Sequence, residues 1–579
     1  MSFSYENLKE KIVSRLRENL GEDYLGEYEG REGRLYVNVR SGTIKLIAEM
    51  LKNEFDARLV TISVNDFGFK GFEVLYHYAF DYKDKVFTKN LTLTVKTLIP
   101  RENPEIDSIT SIYYSAVYAE REMSELNGIT FKGLIDPRHF VLPYEWPHEV
   151  EGVEVKKIVD FAPEEQRKKV GKWIPLPVDI EGKPELSIVP IGPFHPAFVE
   201  AWYYRLKVDG EKIIEADLKT GFNHRGIMKL MEKRSYWRNI YISERVCGIC
   251  SHTHTSAYCR TVEMLGNIEL PDRGRYIRTF IKELERIHSH LLWAGVGMDL
   301  IGYKTAFMWF WRDREHVLDI FEMVSGNRVL HAMNIIGGVR RDITRDMIPK
   351  IERKLDIVER AAKNYVKMAT TEPLIRKRTV GVGVLTKDEA KEVGVVGPTA
   401  RASDVGIDVR KDDPYLAYGE TSWDMVTRPD GDVYAKVIVR LLEVLQSISI
   451  CRQCLDLLKT VGGPIQAEVP REFPEGEEAI GRVEAPRGEL AYYIRSNGTH
   501  IPDRVRIRTP SFLNNPSTLY MLRNQTIADA PIIIASVDPC IACTDRSIKI
   551  VLEDVKEKKV KPVSFSMLAE KSRLKSRRM

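Results

Sequence analysis

Along the first 147 residues the spacing of apolar positions changes from helical to alternating. Tyr5–Leu20 and Thr43–Phe55 repeat them every three or four residues, which predicts two amphipathic helices. Three stretches then alternate, RLVTISV from Arg58, GFEVLYHYAF from Gly71 and LTLTVKTL from Leu91, and these read as strands of an antiparallel sheet. A helix over Ile109–Leu126 and a Pro-rich exit, LPYEWPHE, close this unit. Residues 148–185 are charged and Pro-rich without a sustained period, the composition of a linker. From about Glu185 the pattern is largely helical, with long apolar-periodic segments at 272–296, 305–331, 349–369 and 431–459. The expected fold class is α+β. A small α+β domain (1–147) and a linker (148–185) precede a large, mainly helical domain (186–546) and a C-terminal extension (547–579).

A chain of 579 residues is longer than one hydrophobic core organises, in keeping with that division. Its 43% hydrophobic and 29% charged content is that of an ordinary soluble globular protein. A net charge of +4 gives no reason to expect a nucleic-acid partner. The opening, MSFSYENLKEKIVSRLREN, reads as a charged amphipathic helix, not a signal peptide. The apolar run Leu291–Trp311 is interrupted by Asp299 and Lys304, so it reads as a buried helix and not as a membrane span. Any membrane attachment then falls to partners.

Cysteine placement changes the picture most. Six of the seven cysteines form Cys-x-x-Cys pairs, which favours metal or redox chemistry over a disulfide framework. Cys247 and Cys250 stand in RVCGIC, and Cys540 and Cys543 in DPCIACTDR, far apart along the chain. Four converging thiolates suit zinc, an iron–sulfur cluster or a nickel-containing site. A structural zinc staple or a cluster normally draws its ligands from closer in sequence, although His252 and His254 keep zinc open. The third pair, Cys451 and Cys454, lies inside an apolar-periodic segment with no turn residue nearby, and reads as packing, as does Cys259.

The flanking residues carry a resemblance. ERVCGICSHTHTSA, with Arg245, Cys247, Gly248, Cys250 and His254, resembles the first metal-binding motif of nickel–iron hydrogenase large subunits. SVDPCIACTDR, with Asp538, Pro539, Cys540, Cys543 and Arg546, resembles their last. EAPRGELAYYI, GPTARASD, ELERIHSHLLW and IIGGVRRD look like blocks of the membrane-bound, energy-converting members. HRGIMK is also similar to the 49-kDa subunit of respiratory complex I, and residues 120–147 look like its 30-kDa subunit. A fusion of these two parts resembles the large subunit of formate hydrogenlyase.

The resemblance implies a nickel–iron centre catalysing H2 ⇌ 2H⁺ + 2e⁻. Cys247 and Cys540 would be terminal nickel thiolates, and Cys250 and Cys543 would bridge to an iron carrying carbon monoxide and cyanide. Arg487 would hang over the open metal position, where it could otherwise be an interface salt bridge. Glu200, otherwise a solvated strand residue, would pass protons from a thiolate. His254, otherwise a core histidine, would hydrogen-bond a bridging cysteine. With too few cysteines left for a cluster, electrons would pass to iron–sulfur clusters in partner subunits. The partners implied are a small complex I 20-kDa-like iron–sulfur subunit, ferredoxin-like subunits, membrane antiporter-like subunits and, in a formate-driven complex, a formate dehydrogenase. They would hold the chain on the cytoplasmic face of the membrane. A maturation endopeptidase would cut after Arg546. The segment from Ser547 carries ten Lys or Arg against four Asp or Glu, so its loss would take the chain from +4 to −2. The competing readings are a metal-free complex-I-type quinone oxidoreductase subunit and a zinc-stapled module.

Overall fold

The computed structural model describes residues 5–31, 33–82, 91–142, 149–150, 153–154, 186–195, 200–545, 553–554 and 559–560. Most of the Pro-rich exit, the expected linker and the C-terminal extension lie outside these residues.

The N-terminal part is a five-stranded sheet with helices α1 (Tyr5–Leu20), α2 (Ile44–Phe55) and α3 (Ala116–Asn127). Its strands are β1 (Tyr24–Arg31), β2 (Arg34–Val39), β3 (Arg58–Asp66), β4 (Phe72–Ala79) and β5 (Thr92–Ile99), in the order β1-β2-β5-β4-β3. The three strands expected from alternation pair antiparallel, but β2 joins β5 in parallel, so the sheet is mixed. β1 and β2 lie outside the three expected strands, although Leu35, Val37 and Val39 alternate with Tyr36 and Asn38 along β2. α3 begins at Ala116 and not at Ile109, because residues 109–115 form turns whose start is held by the Glu120 carboxylate on the Ile109 amide at 2.9 Å.

Beyond residue 186 the chain is mainly helical but carries two three-stranded antiparallel sheets. The first comprises β6 (Ser187–Ile191), β7 (Tyr203–Asp209) and β8 (Lys212–Lys219). Helices α4 (Tyr236–Glu244), α5 (Ser251–Leu265), α6 (Asp272–Leu300), α7 (Lys304–Ser325), α8 (Ile348–Thr371) and α9 (Val433–Thr460) follow. The second sheet comprises β9 (Glu475–Ala485), β10 (Gly488–Asn497) and β11 (Arg504–Arg508), and the short helices α10 (Pro510–Asn514) and α11 (Ile541–Thr544) lead to the end of the described core. The run Leu291–Trp311 is not one buried helix: it is divided between α6 and α7 at Gly302 (φ +88°), and Met308 is exposed. α7 stops at Ser325, short of the expected residue 331, because Gly326 caps it in the left-handed region. α9 buries residues on every face, Lys436, Arg440 and Glu443 among them, and packs along α6 in the centre of the domain. No described helix is long and apolar enough to cross a membrane.

One apolar core runs through both parts of the chain. Buried ion pairs join them where the N-terminal sheet meets β9–β11. Arg58 binds both Asp81 (2.6 Å) and Glu489 (2.9 Å), Arg34 binds Asp413 (2.6 Å), and Lys96 binds Glu478 (2.7 Å).

Candidate metal centre

Two chain turns bring the cysteine motifs together. Cys250 caps α5 and Cys540 caps α11, so each Cys-x-x-Cys wraps a helix start and points its thiols to one side. The Glu285 carboxylate from α6 fixes the first start, accepting from the His252 and Thr253 amides at 2.7 and 2.9 Å. The second motif is held by Ser511 Oγ on the Cys540 amide (3.2 Å) and Thr509 Oγ1 on the Cys543 carbonyl (3.0 Å). Asp538, just before it, turns the chain with φ +54°.

All four thiols are buried. Cys540 Sγ lies 3.7 Å from Cys247 Sγ and 2.9 Å from Cys543 Sγ, and the sulfurs of Cys247, Cys250 and Cys543 fall within 4.8 Å of one another. These separations exceed the roughly 2.05 Å of a disulfide, so the sulfurs are separate thiols. Hydrogen bonds from the other thiols, Cys250 first, hold Cys247 well below the ordinary thiol range, while burial and that shared charge push Cys543 up. Four thiolates cannot share so small a volume without cations among them, which is the condition a soft metal centre meets.

Arg487 occupies the two-residue turn between β9 and β10. It donates from Nε to the Asp538 carbonyl and from Nη2 to Asp538 Oδ1, both at 2.7 Å. Among the described residues its buried Nη1 has no hydrogen-bond partner, and neither has Asp538 Oδ2. Burial opposes the guanidinium charge, but Asp538 and the thiolates hold the group well above its ordinary value. The turn is placed by a close backbone crossing: a Cβ on Gly397 would lie 2.3 Å from the Gly488 Cα, which is why GPTARASD and APRGEL each need their glycine.

Glu200 accepts from the Ile541 and Ala542 amides at 2.5 and 2.9 Å. Its described partners are therefore these amides, next to Cys540, and not a sulfur. Burial, with the Cys247 charge adding, raises its pKa against those two hydrogen bonds. His254 places Nε2 at 3.7 Å from Cys543 Sγ and Nδ1 at 2.9 Å from the Tyr492 hydroxyl. Cys247, Cys540, Glu200, Arg487 and Asp538 share the wall of a cavity of about 470 Å³, otherwise lined by apolar side chains such as Trp293 and Val296. A structural zinc site is closed on all sides, whereas here one side of the thiol cluster opens on a cavity. Cys259, Cys451 and Cys454 are buried within helices and their thiols are pushed up by burial, as packing residues should be.

Sequence reasoning missed Asp538 as the Arg487 partner, Glu285 as the clamp on the first motif, and Tyr492. The only available signal for Asp538 was its place before the last motif, and Glu285 and Tyr492 had none in spacing.

Both parts of the chain are similar to known proteins. The respiratory-chain NADH dehydrogenase 30 Kd subunit family matches residues 37–154, the 49 Kd subunit family matches 300–479 and 470–546, and the nickel-dependent hydrogenase family matches 225–295. Formate hydrogenlyase subunit 5 of Escherichia coli (strain K12) is 35% identical over 82% of this chain and 82% of its own length. Hydrogenase-4 component G of the same organism is 31% identical over 97% of this chain and 96% of its own length. A solved chain of a membrane-bound sulfane sulfur reductase, an archaeal respiratory membrane complex, matches with a TM-score of 0.60 and 34% identity over 62% of this chain and 99% of that one. The chain thus belongs to the family of membrane-bound nickel–iron hydrogenase large subunits that includes formate hydrogenlyase subunit 5, with a complex I 30 Kd-like part ahead of a 49 Kd-like part in this chain.

Proposed function

We propose that this chain is the catalytic subunit of a nickel–iron hydrogenase that interconverts H2 with two protons and two electrons. The observation that carries the reading is the meeting of four buried thiols, from motifs 293 residues apart, two of which share a cavity wall with Glu200 and Arg487. Cys247, Cys250, Cys540 and Cys543 would hold a nickel and an iron, the iron bearing carbon monoxide and cyanide, and that centre would supply the redox and hydrogen-binding chemistry. Cys247 and Cys540 would be its ligands on the cavity side, in keeping with their place in the wall, and Cys250 and Cys543 its ligands on the buried side.

The chain's own groups do the rest. Arg487, braced by Asp538, keeps a fixed positive charge at the cavity, with its Nη1 unpaired among the described residues, where it stabilises negative charge without reorganising. Glu200 has a pKa raised by burial, which suits a carboxylate that takes up and returns a proton. The largely apolar cavity wall would suit a small apolar gas. His254 orients the Cys543 thiolate through the Tyr492–His254 pair.

The remaining three cysteines are buried packing residues, so electrons leave through iron–sulfur clusters of a small complex I 20-kDa-like partner. Ferredoxin-like and membrane antiporter-like subunits, with formate dehydrogenase where formate is the donor, complete a complex on the cytoplasmic face of the membrane. An endopeptidase removes the segment after Arg546, and the intact mass of the nickel-loaded chain tests this: a mature, active chain ending at Met579 contradicts it.

Isotope exchange between D2 and water tests the function. Serine at Cys247, Cys250, Cys540 or Cys543 should reduce exchange by the purified complex to background, because a hydroxyl is a poor ligand for nickel. The Cys451→Ser/Cys454→Ser double variant should exchange like the parent. A parent complex that reduces quinone or sulfane sulfur but exchanges no hydrogen would overturn the reading.

A further inference from the structure

The two cysteine motifs must be fastened to each other as well as shaped, since nothing in their own turns fixes the gap between them. Arg225, in the HRGIMK string, sits at that gap. Its Nη1 donates to the Arg245 carbonyl at 2.8 Å. Its Nη2 donates to the Val246 carbonyl at 2.7 Å and to the Ala542 carbonyl at 3.1 Å. Val246 precedes Cys247, and Ala542 precedes Cys543. Each of those carbonyls belongs to the peptide bond that leads into a ligand cysteine, so one nitrogen fixes the planes of both peptides relative to each other. Among the described residues this guanidinium pairs with no carboxylate, and its described partners are main-chain carbonyls of the two motifs.

The surrounding loop makes a second fastening. Asp545 Oδ2 accepts from the Gly221 amide at 2.8 Å and the Asn223 amide at 3.1 Å. Asn223 Nδ2 donates to the Ala201 carbonyl at 3.3 Å, next to Glu200. Gly221 has φ +106°, and a Cβ there would lie 2.3 Å from the Val141 carbonyl oxygen, so the loop is pressed against the end of the N-terminal part. Lys219 Nζ binds the Phe140 and Leu142 carbonyls at 3.0 and 2.6 Å, and Glu125 holds the amides of the same two residues at 2.6 and 2.7 Å.

We propose that Arg225, with the Gly221 and Asn223 amides, is a clasp that fastens the first cysteine motif, the second motif and the Glu200 segment together, anchored on the N-terminal part, and so sets the spacing of the four thiols. It is a positioning residue acting through main-chain carbonyls, and the proposal rests on the metal reading above. A lysine keeps the charge but has no planar fork to span the carbonyls.

The test uses the purified complex with Arg225→Ala and Arg225→Lys. The readouts are nickel retention against a chelator and the infrared bands of the iron-bound diatomics, both independent of turnover. The clasp predicts nickel loss faster by about tenfold or more in Arg225→Ala, shifted bands, and an intermediate rate in Arg225→Lys. Parent-like retention with unshifted bands in Arg225→Ala overturns it. If Arg225→Ala fails to assemble, Arg225→Lys decides: faster loss supports the clasp, and parent-like loss overturns it. A parent complex without nickel overturns the metal reading itself, a failure seen before any variant is made.

Discussion

At the scale of single residues, the site divides into groups that face the cavity and groups that hold them. Glu200 and Arg487 face it, and each has a variant that keeps shape while removing one property. Glu200→Gln can still accept a hydrogen bond but cannot take a proton, so exchange should fall by about 10²–10⁴ with metal content unchanged. Arg487→Lys loses the planar fork that reaches both the Asp538 carbonyl and carboxylate, and turnover should fall by about 10²–10³. Normal exchange in either variant, measured beside nickel content, would remove that residue from the mechanism. The cavity-facing residues were legible in the sequence because their motifs are short and chemically distinctive. The holding residues were not: Arg225 and Glu285 act on main-chain carbonyls and amides, which leave no trace in side-chain identity.

At the scale of elements, long amphipathic helices were the easiest to read, and α6, α8 and α9 end within a few residues of their expected limits. The sheet β9–β11 escaped because β10 is buried on both faces and shows no alternation, so its apolar run resembles helix as much as strand. Within the N-terminal sheet, His77 on β4 is wholly buried between Ser63 Oγ (2.6 Å) and Thr94 Oγ1 (2.8 Å), and burial pushes its pKa down to about 3. A base whose pKa is depressed on folding contributes stability above its unfolded value, near 6.5, and loses that contribution as pH falls towards 3. By pH 4.5 the loss should be about 2–3 kcal/mol. Denaturant titrations from pH 7 to 4.5 check this. His77→Gln should show a shallower acid slope than the parent, and identical slopes would contradict the assignment.

At the scale of the whole molecule, the two fused parts share a core and a buried charge cluster in which Glu489 carries Arg58, Arg482 and Arg508. Glu489 lies two residues from Arg487, so the N-terminal sheet buttresses the turn that presents the guanidinium. Glu489→Ala would leave three buried guanidinium groups without that shared partner, which should cost about 3–5 kcal/mol of stability and lower activity together. A thermal midpoint equal to the parent's would show that the cluster is not a joint. The fusion itself was visible in the sequence as two blocks, but the Arg58–Glu489 pair bridges residues 431 positions apart and only the fold brings them together. The central claim, that the four thiols hold nickel and iron for hydrogen chemistry, is tested most directly by metal analysis of the purified native complex with infrared spectroscopy. The account predicts nickel bound in this chain, with sharp bands from iron-bound carbon monoxide and cyanide, and both lost in Cys540→Ser. Zinc in place of nickel, or no metal and no such bands in an active complex, would contradict it.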